Sequence, residues 1–161
     1  MPSSRLDKID LTLLQRLQLQ GRTKRNVLAE EVSLSIPTIS ERMRKLEEAG
    51  IIKGYHAVLD ARKLGLEVTA FIFITAESSK YYRQIIERAR EQDEILECHA
   101  ITGEGSHLLK VRTESTATLE RLLSRIQAWP GVVNTRTDIV LSSPKETTVL
   151  PLEHLEKKTG S

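Results

Sequence analysis

The hydrophobic pattern of this chain changes character part-way along. Up to about residue 50 the apolar positions recur every three or four residues, the spacing of one face of a helix. Ile9, Leu13, Leu14 and Leu17 make the first such stripe, predicting a helix over about residues 7–20 that Gly21 stops. Asp7 and Asp10 favour its N-terminal end electrostatically. Thr23 is positioned to cap a second helix over about 24–32, with Val27, Leu28 and Val32 inward. Ile36, Ile39, Met43 and Leu46 mark a third, with Ser35 as N-cap, Pro37 in the first turn and Gly50 past the end. Residues 51–59 are β-prone and divided near Gly54, which predicts a small hairpin, the wing of a winged helix-turn-helix.

Beyond a short joint the period becomes that of strands. Residues 68–76 form an unbroken apolar and β-branched run, with Ala70, Ile72 and Ile74 on one face and Phe71 and Phe73 on the other. A helix over about 80–92 follows, then strands over 95–101 and 108–113, a helix over 116–129 and a last strand over 132–141. The order βαββαβ is that of a ferredoxin-like sandwich whose helices cover one sheet face. No element remains to cover the face of Phe71 and Phe73, so a second copy is its expected cover. The fold class is therefore α+β, a winged helix-turn-helix followed by a ferredoxin-like domain. The expected division is a winged helix-turn-helix domain over 1–60, a linker over 61–66, a ferredoxin-like domain over 67–150 that oligomerises through its open sheet face, and a polar tail over 151–161.

Charge changes this picture only locally. The chain has 24 Lys and Arg against 22 Asp and Glu. The first 60 residues hold ten basic and eight acidic side chains, so the whole excess lies in the helix-turn-helix. The outer face of the third helix offers Ser35, Pro37, Thr38, Ser40, Glu41, Arg44 and Lys45, with Arg42 on its flank, as the residues for a phosphate or a base edge. A single cysteine, Cys98, suits a reducing cytoplasm, and no apolar run reaches the length of a signal peptide or a membrane span. The four histidines are scattered and no Cys-x-x-Cys spacing occurs, so no metal site or metal cofactor is expected. Cys98 and His99 are neighbours on a strand and face opposite ways, which removes them as a nucleophile pair. An enzyme of ferredoxin-like fold thus lacks a catalytic constellation.

Several motifs then carry a resemblance across nearly the whole chain. They are Leu6-Asp7-Lys8-Ile9-Asp10, Glu41-Arg42-Met43-Arg44-Lys45-Leu46-Glu47, residues 50–55, Thr102-Gly103, Leu108-Leu109 and Pro130-Gly131-Val132. In that order the sequence resembles the Lrp/AsnC, or feast/famine, transcriptional regulators. The resemblance implies a double-stranded DNA partner, a homodimer assembled into tetramers or octamers, and a small effector, usually an amino acid, bound where C-terminal domains meet. By carry-over the effector site is expected at Ala100, Thr102, Gly103, Glu104, Gly105, Ser106 and His107, with Asp138, Ile139 and Val140. Many members have an Asp and an aromatic residue where this chain has Ser106 and His107. That change weakens amine recognition or favours a ligand that a hydroxyl and an imidazole can hydrogen-bond. The alternatives to a metabolite-responsive regulator are a ligand-independent architectural DNA-binding protein and an effector-binding oligomer without DNA affinity.

Overall fold

The computed structural model describes residues 6–159, with side chains through Lys157. Contacts divide the chain into two units, one from the N-terminal helices through Val58 together with residues from Lys145, the other Leu59–Pro144.

The first unit holds α1 (Lys8–Leu19), α2 (Arg25–Glu31) and α3 (Ile36–Glu48). Leu13, Leu17, Leu28, Ala29, Ile39 and Met43 form its core. Asp7 caps α1 through a reciprocal pair: its side chain accepts the Asp10 N–H, and the Asp10 side chain accepts the Asp7 N–H. Thr23 does not cap α2; its hydroxyl donates back to the Gln20 carbonyl at 2.7 Å, and Lys24 takes the cap position without a side-chain bond. Helix α2 is shorter than expected, and Val27, about 100° around the helix from Leu28, points outward. Ile36 likewise lies on the surface at 48% exposure, because the buried stripe of α3 is Ile39, Met43 and Leu46. The turn between α2 and α3 passes through Ser33 at φ 55°, a left-handed position filled by a residue other than glycine, and Leu34 N–H closes it on the Ala29 carbonyl.

The expected hairpin is absent. Ile51 and Ile52 both donate their N–H groups to the Leu46 carbonyl, which extends the end of α3, and residues 53–60 run on without a partner strand among the described residues. Val58 and Leu59 are 92% and 69% exposed there. The tail also departs from expectation. Residues Glu153–Thr159 form a helix, α6, and Gln15 Nε2 donates to Glu156 Oε1 at 3.0 Å, while Gly160 and Ser161 lie outside the described residues.

The second unit has the expected order: β1 (Val68–Ala76), α4 (Tyr82–Arg90), β2 (Ile95–Ala100), β3 (His107–Thr113), α5 (Thr116–Gln127) and β4 (Val132–Ile139). A 3₁₀ turn, Arg62–Leu64, closed by Gly65 at φ 80°, precedes it. The sheet is antiparallel with order β2-β3-β1-β4. Ala70, Ile72, Ile74, Leu109 and Val111 fill one face and meet Ile85 and Ala89 of α4 and Leu119, Leu122 and Ile126 of α5. Trp129 closes this core as a packing residue. On the other face Phe71 and Phe73 are half-buried rather than bare. Phe73 lies under the Arg136 guanidinium at 4.1 Å, and Phe71 is flanked in register by Lys110 and Asp138.

Candidate DNA interface and effector turn

Helix α3 presents its outer face as the sequence periodicity requires, and its side chains are already engaged with one another. Ser35 Oγ accepts the Thr38 N–H at 3.3 Å and lies 2.7 Å from Thr38 Oγ1. Pro37, Thr38, Glu41, Arg44 and Lys45 are exposed and Ser40 is half-buried. Arg44 is a fork between two acids of its own helix, donating to Glu41 at 2.9 and 2.7 Å and to Glu48. The Arg44 bond holds the Glu41 carboxyl below its ordinary pKa. Lys45 is the least committed of the three cations, with its Nζ 3.9 Å from Glu41 and its side chain 69% exposed. Arg42 points elsewhere. Its Nη1 donates at 2.8 Å to both Asp7 and Asp10 at the start of α1. These bonds, the one from Asp7 foremost, raise the Arg42 pKa. Burial pushes Asp7 up, and the Asp10 N–H and Arg42 outweigh it, leaving the carboxyl below its ordinary value. A groove of about 590 Å³ follows this surface, lined by Pro37, Thr38, Glu41, Arg42 and Lys45 with Leu6 and Asp10.

The family models divide along the same line. Residues 6–53 match the winged helix-turn-helix DNA-binding model, and residues 69–150 match the Lrp/AsnC ligand binding domain. The chain belongs to the Lrp/AsnC family. It is 36% identical over 148 residues to HTH-type transcriptional regulator FL11 of Pyrococcus horikoshii, covering 92% of this chain and 97% of that one. With the leucine-responsive regulatory protein of Escherichia coli it shares 33% identity over 155 residues, 94% of each chain. Among solved structures, a transcriptional regulator from Neisseria meningitidis in complex with L-methionine superposes with a TM-score of 0.86 at 36% identity, covering 93% of this chain and 99% of that one. The feast or famine regulatory protein of M. tuberculosis, complexed with L-methionine, gives 0.84 at 32%, covering 90% and 98%. This Lrp/AsnC protein is a DNA-binding transcriptional regulator, not an enzyme. No helix among its described residues is long and apolar enough to cross a membrane.

In this Lrp/AsnC chain the turn between β2 and β3 splits the expected effector residues into two groups. Ala100, Thr102, Gly103 and Glu104 are exposed. Ser106 and His107 face the other way, into the core. Ser106 N–H donates to the Ile74 carbonyl at 2.7 Å, and its hydroxyl reaches the same oxygen at 3.3 Å. His107 is fully buried, its Nδ1 is 2.8 Å from Ser106 Oγ, and its ring meets Tyr82 edge-on at 4.9 Å. Nε2 is buried without a hydrogen-bond partner, and burial lowers the imidazole pKa. Both side chains are thus turned away from the exposed turn, against the expectation that they meet a ligand there. The alternation that buries Leu109 and Val111 extends back to His107, so the signal was present once the strand is begun one residue earlier.

Gly105 makes the turn possible. At φ 90° a Cβ would stand 2.8 Å from the Ile74 carbonyl oxygen, whereas Gly103 at φ 102° opens onto free space. Of the residues expected on β4, Asp138 and Ile139 are exposed, and Val140 donates its N–H to the Thr69 carbonyl at 2.9 Å. Arg136, which is not among the expected effector residues, joins the turn to the strand. It bonds Glu104 at 3.2 Å, lies 3.5 Å from Asp138, and stacks on Phe73. Its position two residues from Asp138, on the same strand face, was the available clue.

Proposed function

We propose that this regulator reads DNA with the outer face of α3, dimerises through the sheet face carrying Phe71 and Phe73, and responds to an amino acid held at the Thr102–Glu104 turn. The observation that carries the reading is the strip Glu104–Arg136–Asp138, acid, base, acid in one line over an aromatic ring. An α-amino acid has the complementary charges: its carboxylate suits the guanidinium fork and its ammonium suits either acid. L-Methionine in the Neisseria and M. tuberculosis relatives supports that class of ligand. Thr38, Glu41, Arg44 and Lys45 are the DNA contacts, with Pro37 and Ser40 shaping the approach and Ser35 capping the helix. The division into a DNA-binding part over 1–60 and a sensing part over 67–150 follows from these roles, with both acting in the cytoplasm.

Isothermal calorimetry with the twenty common amino acids, on wild type and Arg136→Ala, tests the sensor. Binding of at least one amino acid that weakens tenfold or more in Arg136→Ala is expected. Binding unaffected by that change would move the site elsewhere, and no binding at all would favour an architectural regulator.

A further inference from the structure

The third cation of α3 does a different job from the other two. Arg42 lies among the polar residues of the helix, yet both of its carboxylate partners belong to α1 and its cap. Each of those acids is doubly used. Asp7 Oδ1 accepts the Asp10 N–H at 2.8 Å while Oδ2 takes Arg42; Asp10 Oδ2 accepts the Asp7 N–H at 3.1 Å while Oδ1 takes the same guanidinium nitrogen. The cap of α1 and the middle of α3 are therefore one network. Side-chain exposure follows the same division: Arg42 is 27% exposed and Asp10 16%, against 51% for Arg44 and 69% for Lys45. If Arg42 turned to a phosphate, two carboxylates would be left without it beside a polyanion, which is electrostatically unfavourable. The apolar stripe of Ile39, Met43 and Leu46 sets how deeply α3 is seated but is non-directional, so it resists rolling about the helix axis poorly. A charge-assisted pair anchored on another helix supplies that direction.

We propose that Arg42 is a positioning residue: held by Asp7 and Asp10, it fixes the roll of α3 against α1, and with it the register of Thr38 and Glu41 on the base edges, without touching DNA. The inference rests on the reading that the outer face of α3 meets DNA. It separates two consequences of losing a cation. A phosphate contact contributes to affinity on every sequence and to the salt slope. A positioning residue contributes to discrimination between sequences.

The probes are a duplex selected by the wild-type protein from a random pool and a random-sequence duplex of equal length. The ratio of the two affinities cancels the charge change that Asp→Asn makes near any DNA. Arg42→Met and Asp7→Asn/Asp10→Asn should each cut that ratio by about tenfold, and the combined variant should cut it no further. The salt slope of Arg42→Met should match wild type, while that of Lys45→Ala falls by about one per recognition helix. Arg42→Lys, which keeps the charge on a shorter side chain without the planar head, should lie between wild type and Arg42→Met in ratio. A fall in slope for Arg42→Met, with the ratio intact in Asp7→Asn/Asp10→Asn, would overturn the inference and make Arg42 a contact. Lys45→Ala with unchanged affinity and slope would overturn the reading of α3 itself, and this inference with it. The wild-type protein gives a check that needs no variant. The Arg42 guanidinium signal in NMR should keep its free-protein position when the selected duplex is added, and a coupling from it to phosphorus would contradict the proposal.

Discussion

Gln18 pairs with the backbone of Leu150 at both ends of its carboxamide: Oε1 accepts the Leu150 N–H at 2.6 Å, and Nε2 donates to the Leu150 carbonyl at 3.1 Å. The side chain acts as a one-residue strand, satisfying a segment that has no ladder of its own. Beside it, Leu14, Leu17, Ile51, Ile52, Tyr55, Leu150 and Leu152 line a groove of about 420 Å³. Gln18→Ala should therefore free residues 148–159 from α1. Hydrogen exchange at Leu150 should accelerate, and stability should fall by about 1–2 kcal/mol, the net worth of two exchanged hydrogen bonds. Gln18→Glu should do the same, since it keeps the acceptor and loses the donor. Unchanged protection at Leu150 in both variants would show that the apolar contacts alone hold the segment.

Buried His107 makes stability depend on pH. Its pKa in the folded protein is lowered by burial, so the unfolded chain binds the proton more readily. The stability from the neutral ring is complete above the unfolded value of about 6.5 and is lost as pH falls from there toward the folded value. The protonated ring carries an N–H on Nε2, the atom without an acceptor. Thermal denaturation between about pH 7 and pH 5 should show the melting temperature falling, and His107→Phe should flatten that part of the profile. An equal slope in the variant would assign the effect to other groups.

How much of this was legible in the sequence varies with the range of the interaction. The stripes of α1 and α3, the Ser35 cap and the βαββαβ order were readable, because each depends on neighbours three or four residues apart or on simple alternation. Ser33 in the left-handed region was not, since nothing in its side chain announces that conformation. Helix α6 was missed because seven residues with one leucine make no stripe. The hairpin failed for a related reason: β-prone residues at 51–59 find no partner strand, and the end of α3 captures the first two N–H groups. Asp7 and Asp10 were readable as favourable charges at a helix start. Their grip on Arg42, more than thirty residues away, belongs to the packed structure alone.

The two glycines of the turn between β2 and β3 should respond differently to substitution. Gly103→Ala places a Cβ at φ 102° in open space and should cost about 1–2 kcal/mol from backbone strain alone. Gly105→Ala adds a clash with the Ile74 carbonyl and should cost about 1–3 kcal/mol more. Urea denaturation of both variants measures the difference, and equal losses would mean that the backbone around Ile74 yields to the methyl group.

The open sheet face should be sensitive to charge. Phe73→Asp replaces a ring stacked under Arg136 and, in the proposed dimer, would bury a carboxylate at the interface. Association measured by light scattering should weaken at least tenfold, with the isolated fold retained by circular dichroism. A variant that assembles like wild type would place the dimer contact on another surface.

The sheet order also has a consequence during synthesis. Strand β1 is the first strand made and lies inside the sheet, with Ile72 between Leu109 and Thr137. About 65 residues must be added after Ile72 before Thr137 exists to pair with it, on the order of 3–13 s of translation. The helices of the N-terminal unit, built on local contacts, can fold well within that interval. A growing chain therefore carries a nearly finished helix-turn-helix followed by a nine-residue apolar and β-branched strand with its edges unpaired. That interval is when chaperone capture or premature pairing between neighbouring nascent chains has its best opportunity.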